Sequence, residues 1–321
     1  MVVLSGIQPT GRLHIGNYFG AIRQYIELQD RPDHQCYYFL ANYHALTTIH
    51  DGAALRQQTL DAATDLLALG LDPTKALLFR QSDVPEVCEL AWILSCHTPM
   101  GLLERCHAYK DKVAQGLPAD HGLFAYPVLM AADIVIYNAN LVPVGQDQKQ
   151  HVEVTQDLAQ RLNHRYGEVL TVPEPYIVES TAVVPGVDGR KMSKSYDNTI
   201  GMFEPENVVK KKIMGIVTDS TPVEAPKDPE NNTVYQLYKL FATPEQAAAM
   251  RDSFLAGGTG YGEYKKQLLA AFLEYFGPAR ERRTRYEADM SYVQDVLAEG
   301  ARQARAVARE TLDRVRAAVG I

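Results

Sequence analysis

The chain has only four cysteines, at positions 36, 88, 96 and 106, and no two of them form a CxxC pair. This spacing gives no support to a zinc or iron–sulfur site, and reduced thiols are the expectation. No apolar run approaches the roughly 20 residues that cross a bilayer, and the amino end has no basic-then-apolar leader pattern. A cytoplasmic protein with no membrane segment is therefore expected. There is no internal repeat and no low-complexity tract. Positive charge is also scarce: 32 Lys and Arg face 39 Asp and Glu, a net charge of −7. That balance argues against a surface given over to nucleic acid. The deficit is uneven, however. Residues 1–200 hold 15 basic and 22 acidic side chains and so carry all of it, whereas residues 201–321 hold 17 of each. The second part has basic clusters at Lys210-Lys211-Lys212 and at Arg280, Arg282, Arg283 and Arg285. On an acidic body such clusters suit one docking surface for a polyanion, with solvated helix faces as the plain alternative.

The chain of 321 residues is 46% hydrophobic and 22% charged, enough for a large α/β domain and a smaller one. Apolar runs at Val2-Val3-Leu4, 36–41, 77–81 and 141–144 read as buried strands. Helical spacing lies between them, over 53–70, 84–112 with a break near Pro99, 127–137 and 147–165. Strand and helix alternating at these distances argue a parallel sheet with right-handed crossovers. Prolines at 173, 175 and 185 mark 171–189 as an irregular connection, and a domain boundary is placed near 185. Residues 204–287 read as several helices. Residues 289–319 read as one long amphipathic helix, with Val293, Val296, Leu297, Ala301, Ala304, Ala308, Leu312 and Val315 on its apolar stripe.

Two stretches carry chemistry. After the first strand comes Gly6-Ile7-Gln8-Pro9-Thr10-Gly11-Arg12-Leu13-His14-Ile15-Gly16-Asn17, a turn that opens a helix. A helix start presents unpaired N–H groups and a positive dipole end, which suit phosphate. Gly16 leaves room for a flat ring near the backbone, and His14 and Asn17 add neutral donors. Some 175 residues later, Lys191-Met192-Ser193-Lys194-Ser195 lies in a loop flanked by Gly186, Gly189 and Asp197-Asn198. Two lysines on flexible stems in such a loop can close over a triphosphate. Between the two stretches lie Tyr126-Pro127-Val128-Leu129-Met130-Ala131-Ala132-Asp133-Ile134 and Val142-Pro143-Val144-Gly145-Gln146-Asp147-Gln148-Lys149-Gln150-His151. Asp133 is an acid in an apolar run, so it needs a donor partner. Asp147 follows a strand end, where an acceptor for ribose hydroxyls is placed in α/β sheets; a carboxylate favoured by a helix dipole is the plain alternative.

HIGN followed by KMSKS resembles the paired signatures of class I aminoacyl-tRNA synthetases. The YPxLMAADI and VPVGxDQKQH segments resemble those of the bacterial tryptophanyl-tRNA synthetases, and the resemblance runs from Leu4 to the end of the chain. It implies a Rossmann-like parallel-sheet catalytic domain with a smaller all-helical domain. The first would comprise residues 1–185 with the returning helix 289–321. The second would comprise 186–288, the KMSKS loop and an anticodon-binding helical part. The implied reaction is ATP-dependent activation of L-tryptophan to the adenylate, with release of pyrophosphate, followed by transfer to tRNA(Trp). No covalent enzyme intermediate is needed, and no nucleophile arrangement is found.

The motif positions carry over as follows. Gln8, Pro9, Thr10, His14, Gly16, Asn17, Gly145, Gln146, Asp147 and Val183 are implied for ATP, with Lys191, Met192, Ser193, Lys194 and Ser195 from the loop. Lys191, Lys194, His14 and Asn17 are the implied catalytic set, and Lys112 is a weaker candidate for the leaving pyrophosphate. Asp133 is implied to accept from the indole N–H, beside Met130. Tyr126 and Gln148 would hold the ammonium, and His44, Val142 and Val144 would line the ring pocket. Mg²⁺ is implied as a companion of ATP, held chiefly by phosphate and water with no dedicated metal site. A homodimer is implied too. Two positions depart from the family pattern: His14 stands where many relatives have Thr, and Gln146 where an acid is usual. Tyrosyl-tRNA synthetases, the nearest rivals, have Gln where this chain has Met130. Small nucleotidyltransferases with an HxGH motif lack the KMSKS loop and the helical domain behind it. A synthetase-like regulator that only binds is disfavoured by two intact signatures.

Overall fold

Five parallel strands form the sheet: β1 (Val2–Ile7), β2 (Gln35–Leu40), β3 (Ala76–Arg80), β4 (Leu141–Pro143) and β5 (Glu174–Tyr176). They belong to a computed structural model that describes residues 1–106, 109–110, 120–145, 148–177 and 183–321. The crossovers carry α1 (Ile15–Asn17), α2 (Arg23–Gln29), α3 (Asn42–Ala45), α4 (Gly52–Leu69), α5 (Glu86–Ser95), α6 (Met100–Leu103), α7 (His121–Val135) and α8 (Lys149–Tyr166). Beyond Pro185 come α9 (Glu206–Met214), α10 (Thr233–Tyr238), α11 (Pro244–Ala256), α12 (Tyr261–Ala288) and α13 (Met290–Val319).

Alternation along the strands builds a core on each face of the sheet. Cys36, Tyr38 and Leu40 face one core, and Tyr37 and Phe39 face the other. The first core continues without a gap into Leu237, Phe254, Phe272 and Phe276 of the carboxyl-terminal helices. Tyr18 and Phe19, just after α1, make that join: the Tyr18 ring lies 5.2 Å from Phe276, edge to face. Local signals set the boundaries of α4. The Asp51 carboxylate accepts from the N–H groups of Ala53 and Ala54, and Gly70, at φ 118°, ends the helix.

The strand order is β3-β2-β1-β4-β5. Connections leave β1 in one direction across the sheet and reach β4 in the other, so the order reverses between these two strands. Their ladder is a single pair, Val3 with Leu141. A crevice therefore opens at the carboxyl ends of β1 and β4, where open α/β sheets hold ligands.

Two elements differ from the sequence expectation. Helix α7 begins at His121, not at 127, and runs through Pro127. A proline inside a helix removes one backbone hydrogen bond, and here the apolar face of Val128, Ala131, Ala132 and Val135 keeps the helix packed on the sheet. The proline-rich connection also contains a strand, since Pro175 pairs with Val142 in β5. β5 is an edge strand, which is where a missing N–H is tolerated. At the opposite edge, α13 covers β3. Its Val293 and Leu297 join the first core, and its Ala301 to Val315 the second. Gly300 sits at the crossing, where a Cβ would collide with the Leu78 carbonyl. Among the described residues no helix is long and apolar enough to cross a membrane.

Candidate active site

The turn after β1 is shaped by Gly11 at φ 84°, and its N–H donates to Gln58 Oε1 of α4 at 3.0 Å. His14 caps the following helix from an extended conformation, with its own N–H donating to Asn17 Oδ1 at 3.1 Å. The His14 ring is folded against Gly16, where a Cβ would stand 2.9 Å from Nδ1. Gly16 is thus required by this histidine. Burial, with Lys194 and Lys212 adding to it, lowers the His14 pKa to about 4, so the ring is neutral near pH 7. Its buried Nδ1 has no partner among the described residues.

The second signature is tied to the first. Ile15 N–H donates to Ile200 O at 3.0 Å, and His14 bridges to Gly201. Asn198 shapes the loop from inside: its Oδ1 accepts from Ser193 N–H at 2.8 Å, and its Nδ2 donates to Asp188 at 2.7 Å and to Lys191 O at 3.1 Å. Met192 is buried in the first core, and its N–H donates to Val184 O. Lys194 extends across the turn and donates to Thr10 O at 2.7 Å. Burial of that ammonium lowers its pKa, with Asp65 opposing. Lys191, Ser195 and Val183 are exposed.

Beside these loops, at the reversal in strand order, lies a cavity of about 510 Å³. Asp133, Met130, Tyr126, Gln148, His44, Val142 and Val144 all line it, as do Gln8 and Gly145. Three of them, Tyr126, Met130 and Asp133, project from one face of α7 at helical spacing. Asp133 is 1% exposed. It accepts from Gln81 Nε2 at 2.9 and 2.7 Å, and His44 Nε2 stands 2.8 Å from Oδ2. Burial pushes its pKa up against the pull of His44 and Gln81. A carboxylate has about four acceptor positions; three are taken here, so one more donor fits. Also on the lining, Tyr126 OH and Gln148 Oε1 both meet His151, the first at Nε2 and the second at Nδ1, 3.0 Å away. Burial raises the Tyr126 pKa to about 12, so the phenol stays protonated.

The remaining ATP positions, Pro9, Thr10, Asn17 and the loop residues, lie outside the lining of this cavity, on the joined signature turns. Gln146, Asp147 and Lys112 lie outside the described residues. Sequence reasoning missed Gln81, which directly follows the carboxyl end of β3, and the framing roles of Asn198 and His151. The place of Gln81 at a strand end was the available signal. One expectation is corrected. Arg280 donates to Met202 O and Glu204 O, and Arg282 to Ala68 O in the last turn of α4. Arg283 pairs with Asp65 at 2.6 Å, and also with Glu287. These three arginines fasten elements together inside the molecule. Their guanidinium groups are engaged with backbone carbonyls and with acids, Asp65 among them buried, and do not form a free docking patch. Among the described residues no cluster of His, Cys, Asp or Glu is placed to hold a metal.

The family model of tRNA synthetases class I (W and Y) matches residues 1–277. Among curated proteins, a tryptophan–tRNA ligase of Rhodopirellula baltica is 56% identical over 321 residues, covering all of both chains. One from Fusobacterium nucleatum is 53% identical over 319 residues, covering 99% of this chain and 97% of that one. Among solved structures, a tryptophanyl-tRNA synthetase of Campylobacter jejuni complexed with ADP and tryptophan superposes with a TM-score of 0.95 at 49% identity, covering both chains entirely.

Proposed function

The chain belongs to the tryptophan and tyrosine class I tRNA synthetases, its activity is that of a tryptophan–tRNA ligase, and we propose that one cavity and two signature loops divide that work. The tryptophan carboxylate attacks the α-phosphorus of ATP in line, and the bond to pyrophosphate breaks. A hydroxyl of the terminal tRNA ribose then attacks the acyl carbon, and AMP leaves. The protein's part is to orient the reactants and to meet the charge that develops on phosphate.

Tryptophan is assigned to the cavity, with its indole N–H on the last acceptor position of Asp133. The ring lies among Met130, Val142 and Val144, and the ammonium is toward Tyr126 and Gln148. The observation that carries this assignment is the buried Asp133 carboxylate in an apolar cavity at the reversal in strand order. ATP is assigned to the joined turns. The fit rests on the unpartnered His14 Nδ1 and on Lys194, already laid across the first turn. In this reading Lys194 leaves the Thr10 carbonyl for phosphate oxygens, and neutral His14 donates to the nucleotide. Mg²⁺ comes on the triphosphate, and no step is assigned to it.

The domain boundary near residue 185, a cytoplasmic location and a homodimer belong to the same proposal. In that dimer Trp92 and Met100 on α5 and α6, which are 70% and 63% exposed, are apolar side chains for a partner to cover. The function is tested by ATP–pyrophosphate exchange on the purified full chain. Exchange driven by tryptophan, far above tyrosine and phenylalanine, is expected. Exchange driven best by tyrosine would overturn the assignment of substrate.

A further inference from the structure

Gln81 stands directly behind the Asp133 carboxylate and does not line the cavity. It is 1% exposed. Its Oε1 accepts from Tyr43 N–H at 2.9 Å. A backbone N–H can only donate, so the oxygen end of the Gln81 amide must face Tyr43 and the donor end must face Asp133. Nε2 then spans both carboxylate oxygens. The neighbouring residue repeats the link: Asn42 Oδ1 accepts from Ser82 N–H at 3.0 Å, and Asn42 Nδ2 donates to Ser82 Oγ at 2.7 Å. The turn after β3 is thereby fixed to α3, the helix that brings His44 to the same carboxylate.

We infer that Gln81 is a positioning residue for amino-acid selection: its amide, oriented by the Tyr43 N–H, holds Asp133 as a fixed acceptor for a donor on the substrate ring. This rests on the reading that Asp133 takes the indole N–H. The physical reason is the cost of the site. An ionised carboxylate buried in an apolar wall favours its neutral form unless donors are already in place. A protonated Asp133 would offer a hydrogen to a group that has only a hydrogen to offer. Gln81 and His44 supply two fixed donors before the substrate arrives, and because Asp133 lines the cavity its remaining acceptor position is left for a donor bound there. A ring without a donor would leave that position unpaired, a penalty larger than the loss of a contact.

The test compares tryptophan with 3-(benzothiophen-3-yl)alanine, which has the same shape with sulfur in place of N–H, in ATP–pyrophosphate exchange. The wild-type enzyme is expected to prefer tryptophan roughly 10- to 100-fold in kcat/KM. Gln81→Met removes the donor at similar volume; the preference should fall to a few-fold, with the change concentrated on tryptophan. Gln81→Glu keeps the shape but sets two carboxylates together, and such a pair shares one proton until the second ionisation, which is pushed up. At low pH the introduced carboxyl group is neutral and donates to Asp133, and the preference is kept. As pH rises through the raised pKa both groups are charged, and the preference is lost, while the wild-type ratio stays level over the same range. Thermal melting identifies a variant that fails to fold, and if Gln81→Met does so, the pH profile of Gln81→Glu still decides. If both Gln81 variants keep the wild-type ratio at every pH while Asp133→Ala, which removes the acceptor, loses it, Gln81 does not position the acceptor. If Asp133→Ala also keeps it, the assignment of Asp133 itself fails.

Discussion

Lys194 joins the two signature turns through one hydrogen bond to the Thr10 carbonyl, and its charge is the part of the site most directly aimed at phosphate. Lys194→Ala is expected to lower kcat of pyrophosphate exchange by about 10²–10³ while leaving KM for tryptophan nearly unchanged. A loss confined to that KM would remove Lys194 from the phosphate site. Much at this scale was legible in the sequence. An acid amid apolar neighbours, two glycine-framed loops and an apolar Met130 all pointed to the groups that meet in or beside the cavity. The place of Gln81 at a strand end was legible but its role was not, because that role lies in facing Tyr43 and Asp133, contacts spanning 38 and 52 residues of chain. The Gly16 reading changed for a similar reason: the histidine two residues earlier folds back over it, and spacing alone gives no sign of that.

Among the elements, α4 is the one on which others are hung. Gln58 takes the Gly11 N–H, the carbonyl of Ala68 takes Arg282, and Asp65 takes Arg283 from α12. The Arg283 and Asp65 side chains are 11% and 4% exposed. Burial raises the Asp65 pKa to about 6 even against the attraction of Arg283. Arg283→Ala leaves that acid uncompensated and should cost about 3–5 kcal/mol in urea unfolding at pH 8. The pH dependence has a defined sign. The folded pKa lies above the ordinary value of 3.8, so the folded state binds the proton more tightly, and stability falls as pH rises through that window. Without Arg283 the window extends upward, so the deficit of the variant should shrink as pH is lowered toward 5. A deficit equal at both pH values would contradict the pairing. The arginine cluster shows why charge runs were a poor guide: composition cannot tell a solvated guanidinium from one capping a helix or pairing inside. Helix α13 gives the opposite lesson. Its stripe of Val293, Leu297, Ala301, Ala304, Ala308, Leu312 and Val315 is buried as the spacing predicts, with Val296 of the expected stripe only half-buried, because one long straight helix keeps a single period along both cores that it covers. Gly300→Ala, at its crossing over β3, should destabilise the chain by about 1–3 kcal/mol, read by urea unfolding. An unchanged midpoint would mean that the crossing is looser than the Leu78 contact requires.

Over the whole molecule, the sheet order places the cavity at one end of β1 and β4, and the continuous first core carries the carboxyl-terminal helices up to the signature loops through Tyr18 and Phe19. Alternation and spacing made the parallel sheet readable. They did not reveal β5, because three residues with a central proline carry little strand signal away from their partner. The proposed homodimer predicts a particle of twice the chain mass in light scattering at micromolar concentration, and a single-chain mass would count against it. In the proposed reading one buried carboxylate selects the substrate. A site built on a hydrogen bond can separate ligands by ~10⁴ or more, because the wrong one leaves a polar group unpaired. Phenylalanine brings no donor to Asp133, and tyrosine brings one on a shorter ring. The most direct measurement is kcat/KM for tryptophan and phenylalanine in ATP–pyrophosphate exchange, for the wild-type enzyme and for Asp133→Ala. A severe loss for tryptophan and a much narrower margin over phenylalanine are expected; a variant that keeps the full wild-type margin would contradict selection by Asp133.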